Sequence, residues 1–252
     1  MIRTKIIAFC LVLFFPGITL YASENTDSTK SKLKAGATFS LNSNGISSVP
    51  AFSLGKPAAM ASVSVGRSWF SYDPTLAYSL DGHPWFIDNW LHAKLINRPK
   101  FELRTGMNIS SYCSQYTVPE GEFYRVERYF AFELAATFRF AHNISLLTQY
   151  WNDRGQEDWS LKGHFLSAIG EKTDMTLGKH ILCTAALQLF YIGYDSNDNS
   201  NDNNDGLFVA PRVAFSVRNF PVSIFSQVVQ AITSNTEPFP GFNINVGIAY
   251  TL

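Results

Sequence analysis

Charged side chains are scarce in this chain, and neither sign is in excess. Asp, Glu, Lys and Arg supply 16% of the 252 residues, against roughly 25% in an average soluble protein. Twenty basic residues match twenty acidic ones, which gives no electrostatic basis for binding nucleic acid. Spacings typical of zinc clusters, phosphate-binding loops or nucleotide motifs are also missing, so we expect no metal and no cofactor.

Long apolar runs are equally rare. The run near the N-terminus, IIAFCLVLFF, follows two basic residues and precedes the small residue Ala22. It is about half as long as the ~20 residues of a membrane-spanning helix, and the order basic, apolar, small is that of a secretory signal peptide. We therefore predict a signal peptide over residues 1–22, a polar lead over residues 23–32, and export of the remaining chain.

Cysteine is also rare, with three residues, of which Cys10 lies inside the apolar run. Cys113 and Cys183 fall on the apolar faces of segments that alternate like β-strands. These two segments are far apart in the expected strand order, so we predict two free thiols rather than a disulfide.

Aromatic residues are abundant, at 15% of the chain, and their spacing is informative. The stretch VERYFAFELAATFRF, residues 126–140, places Phe130 and Phe132 at even positions and Glu133 and Arg139 at odd ones. A strand directs successive side chains to opposite faces, so this stretch has one apolar and one polar face. In a helix the aromatics would spread around the whole circumference, and the period therefore favours a strand.

The same alternation, strong or weak, recurs along the chain. We predict twelve strands, near residues 33–42, 58–68, 70–80, 85–96, 101–114, 126–140, 144–151, 159–177, 180–195, 207–219, 222–233 and 242–252. The connections sort into two kinds. Short turns are expected at 97–99, 141–143, 178–180 and 219–221, and longer polar loops at 43–57, 115–125, 152–158, 196–206 and 234–241. In an antiparallel up-and-down sheet, all of these short turns fall at one end and all of these long loops at the other.

A chain with a signal peptide, many aromatics, few charges and about twelve alternating strands resembles the β-barrel proteins of the Gram-negative outer membrane. The final segment, NINVGIAYTL, adds to this resemblance because it alternates up to Tyr250, although it ends on Leu252 rather than Phe or Trp. The resemblance implies an all-β, antiparallel up-and-down transmembrane barrel over residues 33–252. It also implies surrounding outer-membrane lipid, periplasmic termini, extracellular long loops, and recognition of Asn243–Leu252 by the barrel-assembly machinery.

Aromatic residues near the outer ends of the strands would form the interfacial girdle of such a barrel. We expect this position for Trp69, Phe70, Trp85, Tyr112, Tyr150, Trp151, Trp159, Tyr191 and Tyr194.

In a membrane barrel the apolar strand faces meet lipid and the charged faces meet the lumen, because an Arg at the bilayer midplane costs about 2–4 kcal/mol. The polar side chains expected inside, lining a pore or filling a plug, are Glu102, Arg104, Glu127, Glu133, Arg139, Lys162, His164, Arg212 and Arg218. A hairpin centred near residue 120 places Asn108 opposite Glu133 and Glu102 opposite Arg139. We predict a Glu102–Arg139 ion pair in the lumen.

Enzyme chemistry finds little support in the sequence. The dyad of outer-membrane phospholipases needs His and Ser on one strand face, two residues apart. Here His164 and Ser167, like His142 and Ser145, are three apart and would face opposite sides. The acidic and amide-rich segment Asp195–Gly206 lacks the acidic residues that an EF-hand needs at its first and twelfth positions, so we expect an external loop there.

Three functions therefore stay open. The leading hypothesis is a non-enzymatic outer-membrane barrel that provides a narrow pore or a binding site for small solutes. The first alternative is a plugged barrel with a structural or surface-interaction role. The second is a soluble, exported, lipocalin-like binder. Because the expected lumen charges have both signs, a strongly ion-selective pore is disfavoured.

Overall fold

The computed structural model describes residues 32–119, 121–158, 160–195, 204–234 and 241–252. The predicted signal peptide and almost all of the polar lead lie outside the described residues, as do Trp159 and most of the predicted external loop at Asp195–Gly206. No helix within the described part of the chain is long and apolar enough to cross a bilayer.

Twelve strands make up the structure, as the alternation predicts. They are β1 (Lys34–Asn42), β2 (Ala58–Gly66), β3 (Phe70–Ser79), β4 (Pro84–Arg98), β5 (Phe101–Val118), β6 (Gly121–Arg139), β7 (Ile144–Gly155), β8 (Lys162–Leu177), β9 (Ile181–Asp195), β10 (Asn204–Val217), β11 (Val222–Ser234) and β12 (Phe242–Thr251).

Each strand pairs antiparallel with its neighbours in sequence, and β1 closes the cylinder against β12. The closing register runs from Thr38 opposite Thr251 to Asn42 opposite Gly247. The chain is therefore a closed, antiparallel, twelve-stranded β-barrel, and the predicted fold class is confirmed. Closure leaves no unpaired strand edge, which is the condition for a sheet to be stable in lipid.

The two faces of the barrel wall have the predicted polarity. Phe132 and Ile248 are 55% and 45% exposed on the outside, whereas Glu133 is 3% exposed and faces the interior. A continuous band of exposed apolar side chains covers the outer wall. In a soluble lipocalin-like binder this apolar face would be packed inside, so the structure does not agree with that alternative.

The four predicted short turns lie together at one end of the barrel, called here the turn end, whereas the four-residue connection between β3 and β4 lies at the other end. His142 and Asn143 link β6 to β7 with φ values of 62° and 57°, and positive φ at both central residues is typical of a tight two-residue hairpin. The opposite end, which carries residues 43–57 and 156–161, is called the loop end. The predicted separation of short turns from these longer loops is confirmed.

The predicted loop at 115–125 is wrong. β5 and β6 continue through it in register as far as Val118 opposite Gly121. Side chains on both faces of this tip are largely exposed, so the hairpin projects beyond the barrel rim, with Tyr116 and Phe123 stacked at 5.9 Å. Turn-forming residues next to position 120 indicated a loop, but the turn between the two strands is only a few residues long.

The girdle prediction is wrong for several aromatic residues. Tyr112, Trp151 and Tyr194 face the interior, and Trp85 is buried beneath residues 43–57. Trp69 and Phe70 lie at the turn end rather than the loop end. Tyr150 and Tyr191 face outward, as predicted.

Candidate functional site: the barrel lumen

The half of the lumen nearest the loop end is filled by large apolar side chains. Phe165, Phe190, Phe208 and Ile192 are completely or almost completely buried there, and Trp151 packs on Phe165 with ring centroids 4.8 Å apart. These residues come from the inward positions of β7 to β10, whose registers place them side by side. This half of the interior is therefore packed like a protein core.

Residues 43–57, between β1 and β2, fold into the same region and are called here the inward loop. Ile46, Val49 and Ala51 of this loop belong to one buried cluster with the wall aromatics. The loop turns back on itself through a bridge between Ile46 and Ser53. Burying each Ile or Val stabilises the seated loop by roughly 1.5–3 kcal/mol, so packing holds most of the loop in place.

Polar contacts fix the position of the inward loop. Ser48 Oγ donates to Asp88 Oδ2 on β4 at 2.9 Å. The backbone N–H of Asn44 donates to Asn245 Oδ1 on β12 at 3.1 Å, and the Asn44 side chain contacts Asn243. The loop thus spans from the β12 wall to the β4 wall.

The barrel wall is asymmetric in side-chain size. Strands β4 to β9 direct aromatic and charged residues inward, whereas β1, β2, β3 and β12 direct mostly small ones. The small inward residues are Gly36, Thr38, Ser40, Ser62, Ser64, Ser71, Thr75, Ala77, Gly247, Ala249 and Thr251. These small inward side chains form what is called here the small-residue wall, and the Phe225 ring packs over Gly247 within it.

A charged network centred on Glu133 occupies the middle of the lumen. Arg104 donates to both carboxylate oxygens of Glu133, from Nε at 2.9 Å and from Nη2 at 3.1 Å. Trp151 Nε1 donates to Glu133 Oε1 at 3.0 Å. A bidentate guanidinium contact of this kind is among the stronger side-chain interactions, and here it is largely buried.

His92 extends the network to a second carboxylate. Its Nδ1 lies 2.6 Å from Asp73 Oδ2, and its Nε2 lies 3.3 Å from Glu133 Oε2. Ionised carboxylates only accept hydrogen bonds, so a ring nitrogen of His92 that carries a proton donates to the carboxylate beside it. The ring therefore joins Asp73 and Glu133 into one network.

Gly106 makes this arrangement possible, because a Cβ at this position would lie 2.7 Å from His92 Cδ2 and 3.3 Å from Glu133 Cβ. We predict that Gly106→Ala displaces His92 and lowers the free energy of unfolding by about 1–3 kcal/mol, measured by urea titration in lipid vesicles. Gly170→Ala is the matched control, because nothing lies within 4 Å of a Cβ there. An equal loss of stability in both variants would contradict this role for Gly106.

The predicted Glu102–Arg139 ion pair is confirmed, with Arg139 Nη2 donating to Glu102 Oε2 at 2.9 Å. Lys94 Nζ donates to the same oxygen at 2.9 Å. The predicted register is wrong by two residues, because Glu102 lies directly opposite Thr137 and Asn108 lies opposite Ala131. The pair forms diagonally, within reach of a long Arg side chain.

The other residues predicted to face the lumen have mixed outcomes. Glu127 lies on the inward face of β6 near the loop end, where it accepts a hydrogen bond from Tyr129 Oη at 2.6 Å. Arg212 points inward from β10, and its guanidinium lies 5.0 Å above the centre of the Phe225 ring. Arg218 follows the last residue of β10 and lies in the turn, so it is not part of the strand wall.

The predicted inward positions of Lys162 and His164 are wrong. Gly163 and Phe165 are the inward residues of this part of β8, since a Cβ on Gly163 would meet the buried Tyr194 ring. Lys162 and His164 therefore face outward, where His164 Nδ1 contacts Tyr150 Oη at 2.7 Å. These two residues were assigned to the lumen because they are polar, but the lumen beside them is apolar.

The polar or aromatic members of the lumen that the sequence analysis missed include Asp73, Asp88, Trp90 and Trp151. A signal was present for two of them. In β4 the alternate residues Phe86, Asp88, Trp90, His92 and Lys94 all face inward, and the titratable groups in this series mark the lumen face. The two cysteines are free thiols, on β5 and β9, as predicted.

The solved structures that resemble this barrel include a porin and an outer membrane protein. A structure of the KdgM porin matches with a TM-score of 0.52 at 11% identity, covering 85% of this chain and 98% of that chain. A KdgM porin structure with disordered oligogalacturonate matches with a TM-score of 0.50 at the same 11% identity and 85% and 98% coverage. OmpT, an outer membrane protein of Vibrio cholerae, has a TM-score of 0.48 at 8% identity, covering 89% of this chain and 100% of that chain.

The chain has the fold of an outer-membrane β-barrel. At this level of identity the likeness shows the fold alone. No protein-family model matches the sequence, and no curated protein matches it.

Proposed function

We propose that this protein is a non-enzymatic barrel of the outer membrane, with the loop end outside, that admits small polar solutes through a narrow path closed by the inward loop. The supporting observation is the position of residues 43–57, which close the loop end of the lumen over a wall lined by Ser, Thr, Gly and Ala. The likeness in fold to a porin is in keeping with such a path.

Three of the basic side chains of the proposed path are locally paired. Lys94, Arg104 and Arg139 each contact a carboxylate, so no ring of one sign surrounds the axis among the described residues. Selection by ion charge would therefore be weak, and solute size would dominate. The lumen-facing residues predicted from the sequence act in this proposal as structural walls of the path.

A permanently plugged barrel is the second candidate. The extensive burial of Phe165, Phe190 and Phe208 favours it, because these side chains fill the loop end from the wall itself. In that case the barrel would serve a structural or surface role. In both cases outer-membrane lipid surrounds the wall, and Asn243–Leu252 is the proposed recognition strand for the assembly machinery.

A reversible lock on the inward loop tests the proposal. Ser48→Cys and Asp88→Cys would join the loop to β4 where the two side chains are now 2.9 Å apart. The background would carry Cys113→Ser and Cys183→Ser to remove the native thiols. We expect brief openings in planar bilayers for the reduced form and none for the oxidised form. The same protein before and after reduction is its own control.

Two results would count against the gated path. Equal conductance of the oxidised and reduced forms would show that the inward loop is not the gate. Silence of the unmodified protein at every voltage would support the plugged barrel instead.

A further inference from the structure

The outward surface of β7 and β8 carries a polar group of side chains close to the loop end. Arg154 and Lys162 lie directly opposite each other across the two strands, and His164 lies two residues further from the loop end on β8. All three are on the outward face of these strands, which meets lipid closer to the turn end. Because β7 ends at Gly155 and β8 begins at Lys162, we place this group at the level of the lipid headgroups.

Arg154 and Lys162 form a pair of like charges, which is unfavourable when the two residues are directly opposite. Arg154 Nε donates to the neutral Asn152 at 2.9 Å. The described residues include no ion pair to Arg154 or Lys162, although Asp195 faces Lys162 from β9. By contrast, Arg128 on the adjacent strand is engaged by Glu157 at 2.7 Å, which lowers the pKa of Glu157. An external anion between Arg154 and Lys162 would relieve their repulsion.

Next to the two cations, on the side of the turn end, Tyr150, Asn152 and His164 form a hydrogen-bonded group that is called here the belt. His164 Nδ1 is 2.7 Å from Tyr150 Oη and 3.2 Å from Asn152 Nδ2, and the Tyr150 and His164 rings stack at 5.7 Å. In the tautomer that accepts a hydrogen bond at Nδ1, the Nε2–H is a donor for an ester or sugar oxygen.

An apolar groove continues from this belt towards the turn end along the outside of the barrel. Its volume is about 490 Å³, and its lining includes Leu134, Tyr150, Leu166, Leu189 and Tyr191. Tyr150 belongs to both the groove and the belt. Since two residues of a strand span about 7 Å, the groove, the belt and the cations follow one another at the spacing of an acyl chain, its linkage and its headgroup.

We propose that this surface binds a lipid with a phosphomonoester headgroup. The phosphate lies between Arg154 and Lys162, the linkage oxygens meet the Tyr150–His164 belt, and one acyl chain fills the groove. Two adjacent cations suit a monoester phosphate, which carries a charge of roughly −1.5 to −2 at neutral pH, although Asp195 opposite Lys162 offsets part of the positive charge. Only the leaflet that supplies the lipid depends on the proposed orientation of the barrel; the site itself is independent of whether the lumen conducts.

A second groove offers an internal comparison. It has a volume of about 470 Å³ and is lined by residues of β1, β2, β3, β11 and β12, including Phe39, Leu76 and Ile248. No basic residue lines it. It is therefore expected to take acyl chains without preference for the headgroup.

The test compares two lipids that differ only in the headgroup. The full barrel in detergent is titrated with phosphatidic acid or with phosphatidylcholine of the same acyl chains, and native mass spectrometry counts the bound lipids. We expect preferential retention of one phosphatidic acid. Arg154→Gln with Lys162→Gln should weaken it about tenfold or more, as for the loss of charge-assisted hydrogen bonds. Lys172→Gln with Lys179→Gln is the control, because it removes the same charge at the other end of β8.

The groove has its own pair of variants. Leu166→Trp should weaken the retained lipid, whereas Ile248→Trp, equally exposed in the second groove, should not. Equal affinity of the Arg154/Lys162 double variant and its control would overturn the proposal. Displacement of phosphatidic acid by inorganic phosphate at equal concentration would also overturn it, since the site would then hold an anion alone and not a lipid.

Discussion

Shortening the inward loop is expected to turn a mostly closed barrel into a continuously conducting one. The change replaces residues 46–53 by Gly-Ser, and the bridge between Ile46 and Ser53 shows that the flanking segments already lie side by side. Removing Ile46, Val49 and Ala51 uncovers the small-residue wall of β1, β2 and β3. Planar-bilayer recordings and liposome swelling with small sugars would measure the change.

The matched control removes the same number of residues from another connection at the loop end. Replacing residues 116–123 by Gly-Ser trims the projecting β5–β6 hairpin, where Tyr116 and Phe123 are exposed and away from the lumen. This variant should conduct no more than the unmodified protein. If the shortened inward loop also leaves the barrel silent, the wall aromatics alone close it, and the plugged barrel is correct.

Removing the carboxylate of Glu133 is expected to cause the largest loss of stability among single substitutions in the lumen. Glu133→Ala leaves Arg104 without its two hydrogen bonds and Trp151 Nε1 without its acceptor. Breaking a buried ion pair by removing one partner costs about 3–5 kcal/mol, because the remaining charge is uncompensated. Urea unfolding of the barrel in lipid vesicles, followed by tryptophan fluorescence, would measure the difference.

Glu122→Ala is the control for that measurement, since Glu122 lies on the exposed hairpin and its carboxylate accepts a hydrogen bond from Gln115. Its effect should stay within about 0.5 kcal/mol. Adding Arg104→Met to Glu133→Met should recover part of the loss, because it removes the uncompensated cation. A Glu133→Ala variant as stable as the Glu122→Ala variant would show that the network contributes nothing to stability.

The strands could be predicted because lipid imposes a simple rule on the outer wall. From Phe130 to Phe138 in β6 and along all of β12, every outward residue is apolar or aromatic, and the inward residues include polar ones such as Glu133 and Asn245, so period two defines both the strand and its faces. The lengths of the strands were harder to predict. The β5–β6 hairpin leaves the membrane before it ends, and beyond the rim no alternation marks the strand.

The lumen could be predicted only where it is polar. Glu102, Arg104, Glu133 and Arg139 lie where charges contrast with the lipid face, and their inward position follows from the sequence. Phe165 and His164 contradict that rule, because the lumen near the loop end is apolar and the outer rim is polar. Near the loop end the inward residues are therefore apolar and the outward residues polar, which is the reverse of the pattern in the rest of the barrel.

The inward loop shows a different limit. Residues 43–57 look like a polar external connection, yet Ile46, Val49, Phe52 and Leu54 are spaced along them. Those apolar side chains indicate a surface to be buried, but not which surface. The position of the loop depends on distant partners, Asp88 on β4 and Asn245 on β12, and no local pattern specifies those contacts.

Spin-label accessibility along β6 tests most directly whether the apolar face meets lipid and the charged face meets the lumen. Single cysteines would be placed at each position from 126 to 140, in a background with Cys113→Ser and Cys183→Ser, and the labelled barrel refolded into vesicles. Collision rates with oxygen, which concentrates in hydrocarbon, should alternate with period two and peak at Phe130, Phe132 and Leu134, with minima at Ala131, Glu133 and Ala135. Maxima at the odd positions, or a profile without alternation, would contradict the account.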